Sequence, residues 1–521
     1  MMRRPGLLLL ALVPLGVAAV DYDLVIRHGR VIDGTGRPAF ASDVAVKDGR
    51  IALVGQVEGT GRQEIEAAGQ VVAPGFIDVH THSEDIAELP VAENFLRMGV
   101  TTIITGNCGS SKLDVAGFFA ELEQTKVAVN VGTLIGHGTV RLEVLGSSIA
   151  RPPTAAELER MRAIVDRGMQ DGAVGLSTGL IYLPGVFAKT DEIVELAKVV
   201  AKHGGIYASH MRYENSRIIE ALAEITQVAR EAHLPIEVSH LKLGGPSAWG
   251  RAAEVLAYLD RARAEGLSIT HDQYVYTASS TSLGSRIPEE ALAGGLDSFR
   301  ARLADPAAKA KIRSAMKAAL ERSQNADFEF AVIANFVPDP SLNGLSIPAV
   351  ARRLRGSATL DDQIETILDV ESRGGAAAIF HGMDEADLKK FLVHPLTMVA
   401  SDSSPRKFGE AVPHPRGYGN NARVLARYVR EMKLLTLEEA VRKMTSLPAH
   451  TFGLAGRGSL IPGNRADLVV FDPATVSDQS VYADPHHYAI GFSNVVVNGV
   501  PVIRQGELTG ERPGAVVRRG K

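Results

Sequence analysis

The 521-residue sequence has almost no cysteine and no excess of charge of either sign. Cys108 is its single cysteine, so no disulfide can form within the chain even in an oxidising compartment. The 56 basic and 60 acidic residues nearly balance, and no basic stripe runs along the sequence. This excludes a partner that is attracted by charge, such as nucleic acid or anionic lipid, and we expect a small-molecule partner.

The sequence after its first 20 residues also lacks an apolar run long enough to cross a membrane. The start, "MMRRPGLLLLALVPLGVAAV", combines Arg3 and Arg4 with an apolar stretch and small residues suited to cleavage. It predicts a signal peptide over residues 1–19 and an exported protein, periplasmic or secreted. The alternative is an uncleaved anchor, but Pro14 and Gly16 interrupt a run that is short for a span of ~20 residues. After cleavage we expect no stable membrane association.

Both ends of the remaining sequence are rich in short strands. Residues 20–73 include "YDLVIRHGRVIDGTG" and "DVAVKDGRIALVG", in which Asp-Gly and Gly turns separate apolar runs. Residues 455–521 include "ADLVVFDP" and "NVVVNGVPVIRQGELTG", with an Asn-Gly turn. Because the two ends share this pattern, we predict that they pair in space as one small β-sandwich domain.

The middle of the sequence alternates short apolar runs with helical stretches. Eight runs, from "GFIDVHTH" to "TMVASD", suit buried parallel strands, with stretches such as "TAAELERMRAIVDRGM" between them. This alternation predicts an α/β fold, a (β/α)₈ TIM-like barrel over residues 74–286 and 371–454. Residues 287–370 are helix-rich, and we predict that they form an insertion after the seventh barrel strand. A ninth apolar run, "AAAIFHGM", does not fit the count of eight barrel strands.

Potential metal ligands stand near the carboxyl ends of these predicted strands. In "FIDVHTH" the alternation of a strand places His80 and His82 on one face. The residues at corresponding places are Cys108, His137, His210, His240 and Asp402. Catalytic groups converge at this end of a barrel. Any single histidine could equally be a hydrogen-bonded core or loop residue, but the repeated placement favours a shared site.

Imidazole, thiolate and carboxylate are ligands of Zn²⁺, and the thiolate disfavours magnesium and calcium. The sequence therefore predicts a zinc hydrolase. A competing hypothesis comes from "GLSTG" around Ser177, which matches the G-x-S-x-G pattern of serine hydrolases. That pattern needs a helix directly after the serine, and Pro184 and Gly185 disfavour one. We therefore expect Ser177 to pack at the barrel end or to contact substrate.

Longer motifs resemble a known family. "GFIDVHTH" near the start and "SLPAHTFGLAGRGSLIPGNRADLVVFDP" near the end resemble the amidohydrolase superfamily. Within it, the motifs "TTIITGNCGSS", "SHMRYE", "VSHLK", "DQYVYTASST" and "ASDSSPRKFGEAVPHPRGYG" resemble the N-acyl-D-amino-acid deacylases, also called D-aminoacylases. The resemblance runs from about Asp23 to the C-terminus.

The resemblance implies a set of metal ligands and a catalytic base. A tightly bound Zn²⁺ would be held by Cys108, His210 and His240, and a weaker second metal by His80, His82 and Asp402. Cys108 stands where many hydantoinase relatives use a carboxylated lysine. Asp402 would be the general base, which accepts a proton from the metal-activated water and returns it to the leaving nitrogen.

The resemblance also implies partners for the α-carboxylate of the substrate. These would be Lys242, Tyr274, Ser280 and Arg416, with Tyr276 as a neighbouring alternative. An arginine suits the role because its guanidinium can bind a carboxylate through two parallel hydrogen bonds. His137 and His381 also follow apolar runs, but the resemblance assigns neither a role.

The resemblance implies hydrolysis of N-acyl-D-amino acids, or of dipeptides that end in a D-residue, to a carboxylic acid and a free D-amino acid. Two alternatives stay open: opening of cyclic amides, as in hydantoinases and dihydroorotases, and a non-catalytic ligand-binding barrel. The loop "ASDSSPRKFGEAVPHP" departs from the family, which usually has glycine after the aspartate and a shorter stretch before the arginine. Since loops after barrel strands set specificity, the sequence leaves the preferred acyl group and side chain open.

Overall fold

A computed structural model describes residues 20–519. The predicted signal peptide, residues 1–19, lies outside this range. Between residues 20 and 519 no helix combines the length and apolar character that crossing a membrane requires.

The chain forms strands and helices throughout this range. The strands are β1 (Val20–Val31), β2 (Phe40–Lys47), β3 (Arg50–Gly55), β4 (Thr60–Glu66), β5 (Val71–Pro74), β6 (Phe76–Asp78), β7 (Val100–Thr105), β8 (Asn130–Thr133), β9 (Ile135–Gly136), β10 (Gly175–Gly179), β11 (Ile206–His210), β12 (Ile236–Val238), β13 (Ile269–Gln273), β14 (Ser279–Ser282), β15 (Ala331–Asn335), β16 (Ala377–Phe380), β17 (Thr397–Val399), β18 (Leu468–Phe471), β19 (Phe492–Val497), β20 (Val500–Arg504) and β21 (Glu507–Leu508).

The α-helices are α1 (Glu93–Leu96), α2 (Val115–Thr125), α3 (His137–Leu145), α4 (Ala155–Asp171), α5 (Thr190–Lys202), α6 (Ile218–Ala232), α7 (Ala252–Ala264), α8 (Glu289–Leu292), α9 (Gly295–Ala304), α10 (Pro306–Ser323), α11 (Ile347–Arg355), α12 (Leu360–Ser372), α13 (Glu385–Val393), α14 (Arg416–Arg423), α15 (Leu437–Met444) and α16 (Ser446–Phe452). Short 3₁₀ turns cover Ile86–Glu88, Gly185–Phe187, Pro246–Ala248, Leu283–Arg286 and Pro340–Leu342, and a π-helix covers Val424–Glu431.

Parallel strands follow one another in chain order through the middle of the molecule. One sheet has the order β6-β7-β8, and a second has the order β9-β10-β11-β12-β13-β17. Leu134 separates β8 from β9, so these two strands are one path with a break. A parallel bridge between Thr81 and Ser403 brings together the ends of β6 and β17. The predicted α/β fold with parallel strands is confirmed.

Helices cover these strands because each side of the sheet must be kept from water. Every residue of β7 is buried, which is typical of a parallel strand covered on both faces. Several helices, among them α2, α4 and α12, begin at a polar residue whose side chain accepts a hydrogen bond from a backbone N–H of the first turn. At α4, for example, Thr154 and Glu157 form a reciprocal capping box. The helical apolar faces and the strands share the largest hydrophobic core of the described residues.

The two chain ends share one sheet. Its order is β21-β20-β19-β18-β5-β1-β2-β3, with β4 paired to β1. The pairing of β18 with β5 is antiparallel and joins residues 468–471 to residues 71–74. This sheet places strands from the N- and C-terminal parts of the described chain side by side.

Between β13 and β17 the chain builds a separate unit. Its antiparallel sheet has the order β14-β16-β15, and helices α8 to α12 pack on a hydrophobic cluster of their own. The "AAAIFHGM" segment supplies β16, the central strand of this sheet, which explains why it fits no place among the parallel strands. The sheet begins before residue 287 and ends after residue 370, so it extends past both predicted limits of the insertion.

Candidate metal centre

The predicted ligands meet at the carboxyl ends of the parallel strands. Their ligand atoms form three overlapping groups, each within 4.8 Å: His80, His82 and Cys108; Cys108, His210 and His240; and His80, His240 and Asp402. We call Cys108, His210 and His240 the cysteine half of the site. We call His80, His82 and Asp402 the aspartate half.

The turn after β7 directs the thiol into the site. Gly106, Cys108 and Gly109 all have positive φ angles, 80°, 53° and 79°. Cysteine rarely adopts this left-handed conformation, so the turn is held by its surroundings. The amide of Asn107 donates hydrogen bonds to the carbonyls of Val79, at 3.2 Å, and Ile104, at 3.0 Å. The segment "GNCG" therefore forms a tight turn in which the cysteine itself has the left-handed conformation.

The spacing of the cysteine half matches a tetrahedral zinc site. Cys108 Sγ lies 3.6 Å from His210 Nδ1 and 3.6 Å from His240 Nε2. Zinc bonds of about 2.3 Å to sulfur and about 2.0 Å to nitrogen put such ligand atoms about 3.5 Å apart in a tetrahedron. The three residues are nearly buried, which suits a tightly held ion. Zinc therefore fits the side chains that are present.

Glu214 connects the two histidines of this half. Its carboxylate lies 3.3 Å from His210 Nε2 and 3.0 Å from His240 Nδ1. It also accepts a hydrogen bond from Lys242 Nζ at 2.5 Å. A carboxylate beside the outer ring nitrogens helps to orient metal-binding histidines, and here His210 Nδ1 and His240 Nε2 are the nitrogens that face Cys108.

The aspartate half is more open to solvent. Asp402 Oδ1 lies 3.2 Å from His82 Nε2 and 3.6 Å from His80 Nε2. The side chain of His82 is 37% exposed, whereas that of His80 is fully buried. His80 Nδ1 pairs with Asp272 at 3.1 Å, and Asp272 also accepts a hydrogen bond from the backbone N–H of His240 at 3.0 Å. Asp272 thus connects the two halves.

The charges in the site favour the ionised forms of its acidic groups. Burial opposes the thiolate, but neighbouring imidazoles, with His80 first, hold the pKa of Cys108 well below its usual range. Burial likewise opposes ionisation of Asp402, but the nearby Arg416 guanidinium holds the pKa of that carboxyl well below its usual range. Both groups are therefore available as anionic ligands near neutral pH.

Three of the four predicted α-carboxylate partners lie together. Arg416 stacks over the ring of Tyr274, with 4.4 Å from its guanidinium carbon to the ring centroid. It also donates a hydrogen bond to the backbone carbonyl of Ser280 at 3.4 Å and pairs with Asp402 Oδ2 at 2.8 Å. Lys242 lies on the cysteine half, where its ammonium group contacts Glu214 and His240 Nδ1.

Tyr276, the neighbouring alternative, has different partners. Its hydroxyl donates to Asp478 at 3.4 Å, and Arg423 stacks over its ring. His381 packs on the ring of Tyr482, 4.7 Å between centroids. Neither residue belongs to the three groups of candidate metal ligands.

His137 and Ser177 have structural contacts. His137 Nε2 pairs with the buried Glu192 at 2.8 Å, away from the ligand groups. The Ser177 hydroxyl donates to the Gly106 carbonyl and accepts from the Gly109 N–H, so it holds the turn that carries Cys108. After Ser177 the chain runs through a turn to a short 3₁₀ segment, without the helix that a serine nucleophile requires.

Sequence reasoning missed several residues around the site. Glu214 follows His210 by four residues in "SHMRYE", and Asp272 is the penultimate residue of β13, so their positions were available as signals. Tyr182 packs edge-on against the His210 ring at 4.9 Å, and its hydroxyl accepts a hydrogen bond from Thr281. No sequence pattern marked Tyr182.

Two guanidinium groups near the site are also without a carboxylate partner among residues 20–519. Arg286 donates only to the hydroxyl of Ser285, at 3.3 and 3.2 Å. Arg406 lies in the loop after β17, where its Nε is buried and has no hydrogen-bond partner in the described chain. Its charge interacts with the charges of Arg416 and Asp402.

Comparisons with known proteins agree with this geometry. The model of the amidohydrolase family matches residues 63–503. A D-aminoacylase of Alcaligenes xylosoxydans xylosoxydans is 35% identical, over 96% of this chain and 98% of the relative. An N-acyl-D-glutamate deacylase of the same organism is 36% identical, over 95% and 96%.

A solved structure adds a metal and an inhibitor to the comparison. It is the N-acyl-D-glutamate deacylase of Bordetella bronchiseptica, complexed with zinc and with a phosphonate that mimics the tetrahedral intermediate. It is 35% identical and covers 95% of this chain and 99% of its own, with a TM-score of 0.81. With a matching family model and relatives of this identity over nearly its whole length, the chain belongs to the D-aminoacylase family of the amidohydrolases.

Proposed function

We propose that the protein is a zinc hydrolase that cleaves the amide bond of N-acyl-D-amino acids, giving a carboxylic acid and a free D-amino acid. The observation that carries this function is the meeting of one thiol and two imidazoles at zinc-ligand distances, with Asp402 beside them. The D-aminoacylase and the two N-acyl-D-glutamate deacylases that resemble the chain support the same reaction. Dipeptides with a C-terminal D-residue are a related substrate class.

The residues present divide into a tight and a weak metal position. The ligands of the tight ion would be Cys108, His210 and His240, and those of the weaker one would be His80, His82 and Asp402. When bound, zinc supplies polarisation of the scissile carbonyl and lowers the pKa of the attacking water toward ~7. The buried cysteine half, oriented by Glu214, suits the permanent ion.

Asp402 acts as the proton carrier. Its side chain is 10% exposed, and Oδ1 faces the space between His80 and His82. From there the carboxylate accepts the proton of the attacking water and delivers it to the nitrogen of the leaving amino acid. Its partner Arg416 holds the carboxylate in position through Oδ2.

The α-carboxylate of the substrate binds on the side of Arg416. The guanidinium already lies over the Tyr274 ring and donates to the backbone carbonyl of Ser280, so a carboxylate there would meet the arginine beside these two residues. Lys242 would approach from the cysteine half. These contacts orient the amide bond between Asp402 and the metal ligands.

We propose a closed (β/α)₈ barrel as the frame of this site. The parallel order of the strands and the bridge between Thr81 and Ser403 support closure. Residues 20–73 and 455–521 would form the β-sandwich domain. The insertion would take in the whole sheet from β14 to β16, residues 279–380, and so be wider than the predicted 287–370.

We propose that the protein is exported to the periplasm or secreted. The basic start and the apolar run of residues 1–19 support this location. N-terminal sequencing of protein recovered from periplasmic and culture fractions would test it. Protein found only in the cytoplasm with its first 19 residues intact would contradict export.

A stereochemically paired substrate panel tests the proposed reaction. The zinc-loaded protein should hydrolyse N-acetyl-D-amino acids and leave the matched N-acetyl-L-amino acids intact. Turnover of the L-series alone would contradict the assignment. Faster opening of hydantoin than hydrolysis of any linear amide would instead indicate a cyclic amidohydrolase, and no turnover with zinc bound would indicate a non-catalytic barrel.

A further inference from the structure

Glu237 is a buried carboxyl group that the proposed reaction does not use. It is the middle residue of β12 and is 1% exposed. Ile236 and Val238 belong to the core that the strands share with the helices, so the alternation of a strand turns the Glu237 side chain to the inner face of the parallel strands. On the neighbouring strand β13 it stands opposite Thr270, two residues before Asp272. Glu237 therefore lies next to the residue that connects the two halves of the metal site.

No cation neutralises the Glu237 carboxyl group. Its Oε2 accepts a hydrogen bond from the Ser239 hydroxyl at 2.9 Å, and its Oε1 accepts none from a donor within residues 20–519. The other group that it contacts is a second carboxyl, that of Asp272, to which it is hydrogen-bonded. A hydrogen bond between two carboxyl oxygens requires a proton, and two buried carboxylates in contact repel each other. One of the two groups is therefore protonated.

The surrounding donors decide which carboxyl group keeps the proton. Asp272 accepts a hydrogen bond from the backbone N–H of His240 at 3.0 Å and faces His80 Nδ1 at 3.1 Å. These partners favour its charged form. Glu237 has only the Ser239 hydroxyl, and burial, followed by the charge of Asp272, holds the pKa of Glu237 well above its usual range. The proton therefore stays on Glu237, which donates a hydrogen bond to the Asp272 carboxylate.

Other buried acids of the described chain are compensated differently. Four of them have a cationic partner: Glu192 has Arg141, Glu214 has Lys242, Asp402 has Arg416 and Asp467 has Arg457. Such an acid stays ionised and accepts hydrogen bonds only. Glu237 differs from these four because its proton makes it a hydrogen-bond donor behind a group that contacts a metal ligand.

We propose that Glu237 is a positioning residue that weakens metal binding in the aspartate half by donating a hydrogen bond to Asp272. A carboxylate that contacts the outer nitrogen of a metal-binding histidine makes that histidine a stronger ligand, and Asp272 has this relation to His80. The hydrogen bond from Glu237 withdraws negative charge from Asp272, so His80 becomes a weaker ligand for a second ion. The inference rests on the proposed function for its two metal positions, and it gives a physical reason why the aspartate half is the weaker one.

Infrared difference spectroscopy tests the proton on Glu237. The zinc-loaded protein is measured at about pH 8, where a glutamate of ordinary pKa is ionised. The spectrum of the wild type minus that of Glu237→Gln should show the C=O stretch of a protonated carboxyl group. Glu254→Gln, at an exposed glutamate of α7, is the matched control and should keep this band at wild-type strength. A wild type in which Glu237→Gln removes no such band has an ionised Glu237, which would overturn the proposal.

Calorimetric titration of a second equivalent of Zn²⁺ into protein that already holds one tests the effect on the metal. Glu237→Met removes the donor and should lower the Kd of the second ion about five- to tenfold, less than the 10- to 100-fold typical of a group that contacts the ligand itself. Glu237→Gln still offers an N–H to Asp272 and should stay within about twofold of the wild type. Glu254→Gln should leave this Kd unchanged. The tight zinc should be retained in all of these variants.

Two results of the titration would overturn the proposal. One is a Kd of the second ion that is unchanged or higher in Glu237→Met. The other is an equal change in Glu237→Met and Glu237→Gln, because the hydrogen-bond donor would then have no influence. Glu237→Leu takes the place of Glu237→Met if that variant melts at a lower Tm than Glu237→Gln. None of these measurements uses turnover, so a protein that hydrolyses no N-acyl-D-amino acid would contradict the proposed function and leave the role of Glu237 to be decided by the band and the Kd.

Discussion

The two halves of the metal site differ in how their side chains are held. In the cysteine half, His210 and His240 are 4% and 2% exposed, and both contact Glu214 through their outer nitrogens. In the aspartate half, His82 is 37% exposed, and Asp402 also pairs with Arg416. A half whose ligands are buried and fixed suits a permanent ion. A half whose carboxylate has a cationic partner and access to solvent suits proton transfer and substrate binding.

Backbone strain occurs in both halves and does not distinguish them. Cys108, His240 and Asp402 have φ angles of 53°, 37° and 51°. Non-glycine residues in this region are held there by their surroundings, often at functional sites. The difference between the halves therefore lies in the side-chain partners, and changes to those partners should separate metal binding from catalysis.

The largest effect is expected from Cys108→Ala. It removes the thiolate that belongs to the cysteine half and also contacts His80, so the tight zinc and the activity should be lost together. We expect kcat/KM to fall at least about 1,000-fold, with less than one zinc per chain by metal analysis. His82→Ala is the matched control, because it should leave the tight zinc in place. A Cys108→Ala protein with full zinc would contradict the division of the site.

Asp402→Ala should separate zinc binding from catalysis. It removes the proton carrier and leaves the three residues of the cysteine half unchanged, so kcat should fall about 100- to 10,000-fold while most of the tight zinc stays. Single-turnover kinetics together with metal analysis would measure both. Loss of zinc in proportion to activity would mean that Asp402 is needed for the tight ion.

Glu214→Gln should weaken the cysteine half without removing a ligand. The amide keeps the shape of the side chain but supplies no negative charge to His210, His240 and Lys242. Groups that orient metal-bound histidines typically contribute 10- to 100-fold in affinity, and we expect about that loss for zinc in competition with a chelator. Saturating zinc should restore most of the activity, whereas it should not rescue Asp402→Ala. An unchanged zinc affinity would show that Glu214 has no part in orienting the ligands.

The sequence predicted the metal ligands better than the residues that contact and orient them. His210 and Asp402 stand at strand ends where the alternation of apolar runs and helices points to a shared edge. Asp272 acts through contacts with His80 and His240, which lie on elements distant along the chain. Glu214 follows His210 by only four residues, but its charge alone does not distinguish it from a solvent-facing acid. That Arg286 has no paired carboxylate among residues 20–519 is visible only in the folded structure.

The parallel strands were likewise clearer in the sequence than the insertion. The strand–helix alternation is periodic, so one strand predicts the next. The sheet β14-β16-β15 pairs segments that are far apart in sequence, such as residues 279–282 with residues 377–380. Such pairing depends on tertiary contacts, and for that reason "AAAIFHGM" could be seen as a strand without being placed.

The smallest effect is expected from Ser177→Ala. This change tests how far the hydrogen bonds of Ser177 to the turn around Cys108 stabilise the cysteine half. The change leaves the Gly106 carbonyl and the Gly109 N–H without their side-chain partner, which costs about 1–3 kcal/mol when such groups stay buried. We expect a lower Tm, a loss of zinc affinity of no more than about tenfold and retained turnover once zinc is saturating, because the hydroxyl holds the turn and does not attack substrate. Calorimetric melting, competition for zinc with a chelator and kinetics at saturating zinc would check these three outcomes. A loss of turnover of about 1,000-fold or more with zinc and Tm intact would return Ser177 to the role of nucleophile.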